Sequence, residues 1–176
     1  MKLHVRRVEL IELNHETMLA LSVGDLAEAQ VHSSIPLSPF FSGEDQRGVW
    51  LRRAEQIARD PAEAHWVTRV VWDPGLGKAV GRAGFHGRPD ECGMVEIGYE
   101  TDPQFRRLGY AKAAVAALIE WATLEPEVRV VRASVSPTND TSLRIVRNFG
   151  FVAVSEQWDD EDGLEIVHEI NLAKPD

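Results

Sequence analysis

The chain contains a single cysteine, Cys92, which excludes an internal disulfide and makes a reducing compartment the simplest setting. Cys92 is a poor nucleophile candidate as well, because Glu91-Cys92-Gly93 offers no adjacent base and reads as a turn into a strand. Long apolar runs are also missing. No stretch approaches the ~20 apolar residues of a membrane span. The basic start, Met1-Lys2-Leu3-His4-Val5-Arg6-Arg7, meets Glu9 and Glu12 before any apolar run of the kind a secretory signal needs. The expected location is cytoplasmic, without a membrane partner. Positive charge is in deficit: 19 Lys and Arg against 28 Asp and Glu give a net charge of −9. Nucleic-acid backbones call for clustered cations, so no nucleic acid is expected, and a cationic acceptor fits better. His32, His65, His86 and His168 lack metal-ligand spacing, so no metal is expected either.

Repeats, linkers and low-complexity segments are absent, and 176 residues with 44% hydrophobic content suit one domain over residues 1–176. Apolar alternation from Leu3 to Leu13 predicts a first strand, after which Asn14 caps a helix running to about Gly24. Pro36 and Pro39 argue against a regular helix over Ser33 to Ser42, and a second helix is expected over Gly43 to Arg59. Ala64 to Trp72 and Lys78 to His86 read as strands joined by the glycine-bearing loop Asp73-Pro74-Gly75-Leu76-Gly77. Gly93 to Thr101 is a fourth strand. Gly109 to Leu124 is a helix with Ala113, Ala114, Ala117, Leu118 and Trp121 on one face. Arg129 to Val135, Asn139 to Asn148, Phe151 to Trp158 and Leu164 to Leu172 follow as strand, short helix and closing hairpin. The expected architecture is an α/β sandwich, a seven-stranded, mostly antiparallel mixed sheet flanked by helices. The five tryptophans, Trp50, Trp66, Trp72, Trp121 and Trp158, read as core or pocket wall.

Arg106-Arg107-Leu108-Gly109-Tyr110-Ala111 lies between the strand that ends at Asp102-Pro103 and an Ala-rich helix. A helix start exposes N–H groups without intrahelical partners, and two arginines placed there oppose the helix dipole unless an anion joins them. Gly109 lets a ligand approach the backbone and Ala111 keeps the first turn narrow. Two other glycine-rich stretches fail as phosphate loops: Gly75-x-Gly77-Lys78 lacks the spacing and the following Ser or Thr, and Gly81-x-x-Gly84 opens no helix.

With Glu96-Ile97-Gly98-Tyr99 ahead of it and Asn139-x-x-Ser142 and Gly150-Phe151 after it, this loop resembles the GNAT superfamily of acyl-CoA-dependent N-acyltransferases, and most of all its Rim-type branch of ribosomal-protein N-terminal acetyltransferases. The similarity covers about residues 93 to 151. It implies a sheet whose fourth and fifth strands splay apart to hold the pantetheine arm, and acetyl-CoA as co-substrate, with no covalent enzyme intermediate. Implied cofactor residues are Tyr99, Glu100 and Thr101 on the fourth strand, Arg106, Arg107, Leu108, Gly109, Tyr110 and Ala111 in the loop, and Asn139 and Ser142. Ser142 would assist the departing thiolate. Many relatives carry a tyrosine four residues before the Gly-Phe pair, where this chain has Val146.

Strand alternation puts Glu96, Gly98 and Glu100 on one face, so two carboxylates flank the room that Gly98 leaves. Glu96 is the leading base for a protonated acceptor amine, and a hydrogen-bonded structural carboxylate is the competing reading. Tyr110 is expected beside the cofactor or under the helix, and His168 at best lines a pocket. The acceptor, a protein N-terminus or a small cationic molecule, should meet Ile35 to Arg47 and Trp158 to His168, although the acid-rich stretch Glu156 to Glu165 reads first as a solvated loop. A non-catalytic acyl-CoA sensor and a transferase for another short acyl-CoA, such as succinyl-CoA, are the alternatives. Either a monomer or a homodimer is compatible with the sequence.

Overall fold

A computed structural model describes residues 6–173. Seven strands form one sheet in the order β1-β2-β3-β4-β5-β7-β6. They are β1 (Glu9–Ile11), β2 (Arg69–Asp73), β3 (Lys78–Phe85), β4 (Met94–Thr101), β5 (Val130–Val135), β6 (Val152–Asp159) and β7 (Gly163–Asn171). The helices are α1 (His15–Ser22), α2 (Leu26–His32), α3 (Pro39–Ser42), α4 (Glu44–Arg59), α5 (Tyr110–Leu124) and α6 (Asp140–Asn148). Every neighbouring strand pair is antiparallel except β4–β5. The expected sandwich is therefore the observed one, and the part of the first-strand expectation before Arg6 lies outside the described residues.

Local chemistry accounts for the boundaries. Asn14 caps α1 by accepting from the Thr17 N–H at 2.8 Å, as its residue type foretold. Two helices were not expected. Asp25 caps α2 through the Glu28 N–H at 2.9 Å, yet α2 buries only Ala29 and so leaves almost no apolar period to read. Pro39 sits in the first turn of the four-residue α3, where its missing N–H costs nothing. The strand expected from Ala64 begins only at Arg69, because Asp60 caps a 3₁₀ turn over Pro61–His65 by accepting from Ala62 N–H.

Two cores cover the two faces of the sheet. Adjacent residues divide between them: Val71 and Val80 pack with α5 and α6, and Val70 and Ala79 with α1 and α4. The buried positions of α4, namely Gln46, Trp50, Arg53 and Ala54, recur at helical spacing, with two polar members in the stripe. Those two reach the middle of the sheet, where β4 and β5 part. Pairing between these strands runs only from Met94↔Val130 to Glu96↔Arg132, while β4 stays bonded to β3 as far as Gly81↔Thr101. Beyond Glu96, the β4 edge that faced β5 has no strand partner.

Candidate active site

A cleft of about 980 Å³ opens at this parting. Residues 96 to 100 of β4 and 133 to 135 of β5 form its back, and Thr138, Asn139 and Ser142 at the start of α6 close one end. The wall opposite comes from α4, through Asp45, Arg52 and Arg53, and from the β6–β7 hairpin, through Asp159, Glu161 and Glu165. Of the segment expected at the acceptor end, residues 35 to 44 are not in this wall. Leu37 and Phe41 are instead buried in the α1–α4 core.

The loop before α5 carries two left-handed residues, Arg107 at φ 61° and Gly109 at φ 87°. Gly109 tolerates this freely, whereas for Arg107 it is a strained conformation of the sort that persists where surrounding structure enforces it. Such a path turns successive N–H groups to one side, and no side chain caps the first turn of α5. A Cβ built on Gly109 would point into open space. Arg106 lines the cleft next to it. Support comes from a distance: Arg6 donates from Nε to the Leu108 carbonyl at 2.7 Å and from Nη1 to the Tyr110 hydroxyl at 2.9 Å. Tyr110 is buried under the helix, its hydroxyl donating to Asp73, so its side chain is no part of the cleft. Burial and the Asp73 carboxylate push the Tyr110 hydroxyl up to about 12, and Tyr110 in turn holds the Asp73 carboxyl below its ordinary value.

β4 presents different chemistry on its two faces. Towards α6, the Tyr99 hydroxyl is buried and makes no hydrogen bond of good geometry; Ser142 is the polar group nearest to its needs. Burial raises the Tyr99 pKa, which keeps the phenol protonated. Asn139 caps α6 by accepting from the Ser142 N–H at 3.1 Å, leaving the Ser142 hydroxyl at the cleft. Val146 is wholly buried in the core, so the position that bears tyrosine in many relatives does not face the cleft in this chain.

Towards α4, Glu96, Gly98 and Glu100 share one face as their alternation predicts. Glu100 is already engaged, accepting from Arg82 at 2.8 Å and from Gln46 at 3.0 Å. Among the described residues the ion-pair contact of the Glu96 side chain is with His86, whose Nδ1 lies 4.0 Å from its Oε1. The room beside Gly98 is filled by that same imidazole: a Cβ on Gly98 would sit 2.8 Å from His86 Nε2. His86 had no local signal in the sequence. Its arrival depends on the β3–β4 register, which sets the His86 N–H against the Glu96 carbonyl at 2.8 Å. Arg53, lowered to about 10 by burial and by Arg52 and Arg82, is likewise a buried cation that sequence reading passed over.

On the hairpin, burial raises the Glu165 pKa, Gln157 opposes the shift, and the carboxylates of Asp159, Asp162 and Glu96 add to it. Asp159, Glu161, Asp162 and Glu165 line the cleft, and Glu161 and Asp162 among them are at the same time exposed to solvent. Trp158 is exposed and His168 is buried, with Nδ1 against the Ile166 carbonyl at 3.0 Å and outside the cleft lining. Among the described residues no group of three His, Cys, Asp or Glu is placed to hold a metal ion, and no helix is long and apolar enough to cross a membrane.

A parted β4–β5 pair with a polar cleft at the parting, and an uncapped helix start near it, distinguish this α/β sandwich. Residues 16–152 match the acetyltransferase (GNAT) domain family, and the chain belongs to that family. It is 40% identical over 73 residues to the uncharacterized N-acetyltransferase YjdG of Bacillus subtilis, a match that spans 42% of this chain and 44% of that relative. The fold is also that of the ribosomal L7/L12 alpha-N-protein acetyltransferase RimL solved with coenzyme A, at 15% identity, with 94% of each chain covered and a TM-score of 0.64. Mutant forms of the spermidine/spermine N-acetyltransferase SpeG from Vibrio cholerae share it too, at 13% identity, with 94% of this chain and 95% of that one covered and a TM-score of 0.63.

Proposed function

We propose that the protein transfers an acetyl group from acetyl-CoA to a primary amine by direct attack, with both substrates bound together in the cleft. The observation that carries this reading is the end of β4–β5 pairing at Glu96↔Arg132 beside the Arg106–Ala111 loop. An extended pantetheine arm can add to the unpaired β4 edge over Tyr99, Glu100 and Thr101 as a further strand would. The N–H groups of the loop and helix start, from Arg107 to Ala111, together with the Arg106 and Arg107 charges, suit a pyrophosphate. Asn139 and Ser142 lie at the other end of the same gap. The open space over Gly109 fits such a ligand.

Roles divide along the two faces of β4. Glu96 belongs to the step that removes a proton from the acceptor ammonium, since an α-amine with a pKa of ~8 or a lysine with one of ~10 is mostly protonated at neutral pH. Ser142, with the neutral Tyr99 hydroxyl behind it, donates towards the sulfur as negative charge develops there, and the β4 backbone polarises the carbonyl. The acid-lined acceptor end favours a cationic amine, a protein N-terminus or a polyamine being the two kinds that RimL and SpeG are named for. Acetyl-CoA with a panel of N-terminal peptides and polyamines, followed by release of free thiol, tests the proposal. A chain that binds acetyl-CoA but acetylates none of them is a carrier sensor.

A further inference from the structure

We propose that His86, seated over Gly98 and backed by Glu96, is the group that takes the proton from the acceptor ammonium. The inference rests on the acetyltransferase reading and names its base. The His86 backbone is fixed on both sides, while its ring stays half exposed to the cleft. The His86 N–H donates to the Glu96 carbonyl at 2.8 Å, and its own carbonyl accepts from Arg53 Nη1 at 3.1 Å and Gln56 Nε2 at 3.0 Å. Glycine at 98 is what admits the ring, because any Cβ there would meet Nε2 at 2.8 Å. Nδ1 lies 4.0 Å from Glu96 Oε1, a charge contact longer than a hydrogen bond, and Nε2 lies against Gly98 on the cleft floor, so Glu96 acts on the ring through its charge. An ordinary carboxylate is a weaker base than an ordinary imidazole by about two pKa units.

Partial burial is the largest influence on His86 and lowers its pKa; Glu96 raises it, and Arg53, Arg52 and Arg82 lower it further. Asp159 of the hairpin also faces it. Burial and the three arginines favour the neutral imidazole, the form a base needs, and Glu96 opposes them. One proton passes from the ammonium to Nε2 and on to solvent. The freed amine lone pair forms the N–C bond, the C–S bond breaks, and the second nitrogen proton ends on the thiolate sulfur.

The test compares kcat/KM against pH for wild type, His86→Gln and Glu96→Gln, with a strongly basic alkylamine and a weakly basic amine. NMR titration of the His86 ring accompanies it. Wild type should show an acid limb coincident with the ring titration. His86→Gln should lose about 10²-fold with the alkylamine and much less with the weak base, which arrives already neutral. Glu96→Gln should move the limb to lower pH without erasing it, because Glu96 raises the ring's pKa. If His86→Gln misfolds, Gly98→Ala displaces the ring without removing either titrating group and should reproduce the loss. Undiminished turnover in both His86→Gln and Gly98→Ala, or an acid limb that vanishes in Glu96→Gln and persists in His86→Gln, overturns the assignment. A wild type that acetylates no amine instead overturns the reading beneath it.

Discussion

The two walls of the cleft are made of different materials. The wall proposed for the carrier is largely backbone: an unpaired strand edge, a left-handed loop and an uncapped helix start, all within residues 97 to 142. The wall proposed for the acceptor is side chains brought together from afar, such as Arg52 of α4 meeting Glu161 of the hairpin at 3.0 Å. Backbone recognition suits a ligand shared by a whole family, whereas side chains can be exchanged without disturbing the sheet. Affinity for acetyl-CoA and choice of amine should therefore respond to separate substitutions.

The largest effect is expected from Gly109→Trp, which combines a side chain at φ 87° with bulk in the open space over the loop. Wild type at acetyl-CoA a hundredfold above its Kd gains about 2.7 kcal/mol; the variant should show almost no ligand-dependent rise in Tm. Ser142→Ala should lower kcat by about 10²-fold while leaving acetyl-CoA affinity close to wild type, the pattern of a contact made as charge develops. Equal loss in binding and rate would make Ser142 part of the carrier wall only.

Tyr110→Phe probes what lies beneath that wall and should cost about 1–2 kcal/mol in urea unfolding, since it removes one partner of a buried hydrogen bond to a carboxylate. The penalty depends on pH. Asp73 is lowered in the folded state, chiefly by Tyr110, so its contribution is full above the unfolded carboxylate pKa of about 4. It fades as pH falls through the folded value, and the difference between wild type and Tyr110→Phe should shrink there. The smallest stability effect belongs to Arg52→Ala, whose ion pair is solvent-exposed and worth under about 1 kcal/mol. Its signature should be a changed KM for the amine with acetyl-CoA binding unaltered, measured by paired kinetics and calorimetry.

The same contrast governs what could be read from the chain in advance. Asn14, Gly109 and Asn139 announce helix starts because capping is local, and the period-2 alternation of Glu96, Gly98 and Glu100 is a property of one strand. The helix starts and the strand face were legible for that reason. α2 was not, because a seven-residue helix burying one alanine carries no amphipathic signal. His86 was invisible because its meeting with Glu96 is a matter of register between two strands. The glycine that makes room for it was visible, but the occupant was not. Arg6 holding the Leu108 carbonyl over 102 residues of sequence is a contact of the same kind.

If the parted strands hold acetyl-CoA for transfer to an amine, the most direct measurement is the yield of acetylated amine and free coenzyme A thiol, determined together by mass spectrometry and thiol titration on the intact chain across the peptide and polyamine panel. One thiol should be released per amine acetylated, and release should depend on the amine. Tight acetyl-CoA binding with no acetylated amine from any member of the panel would contradict such transfer.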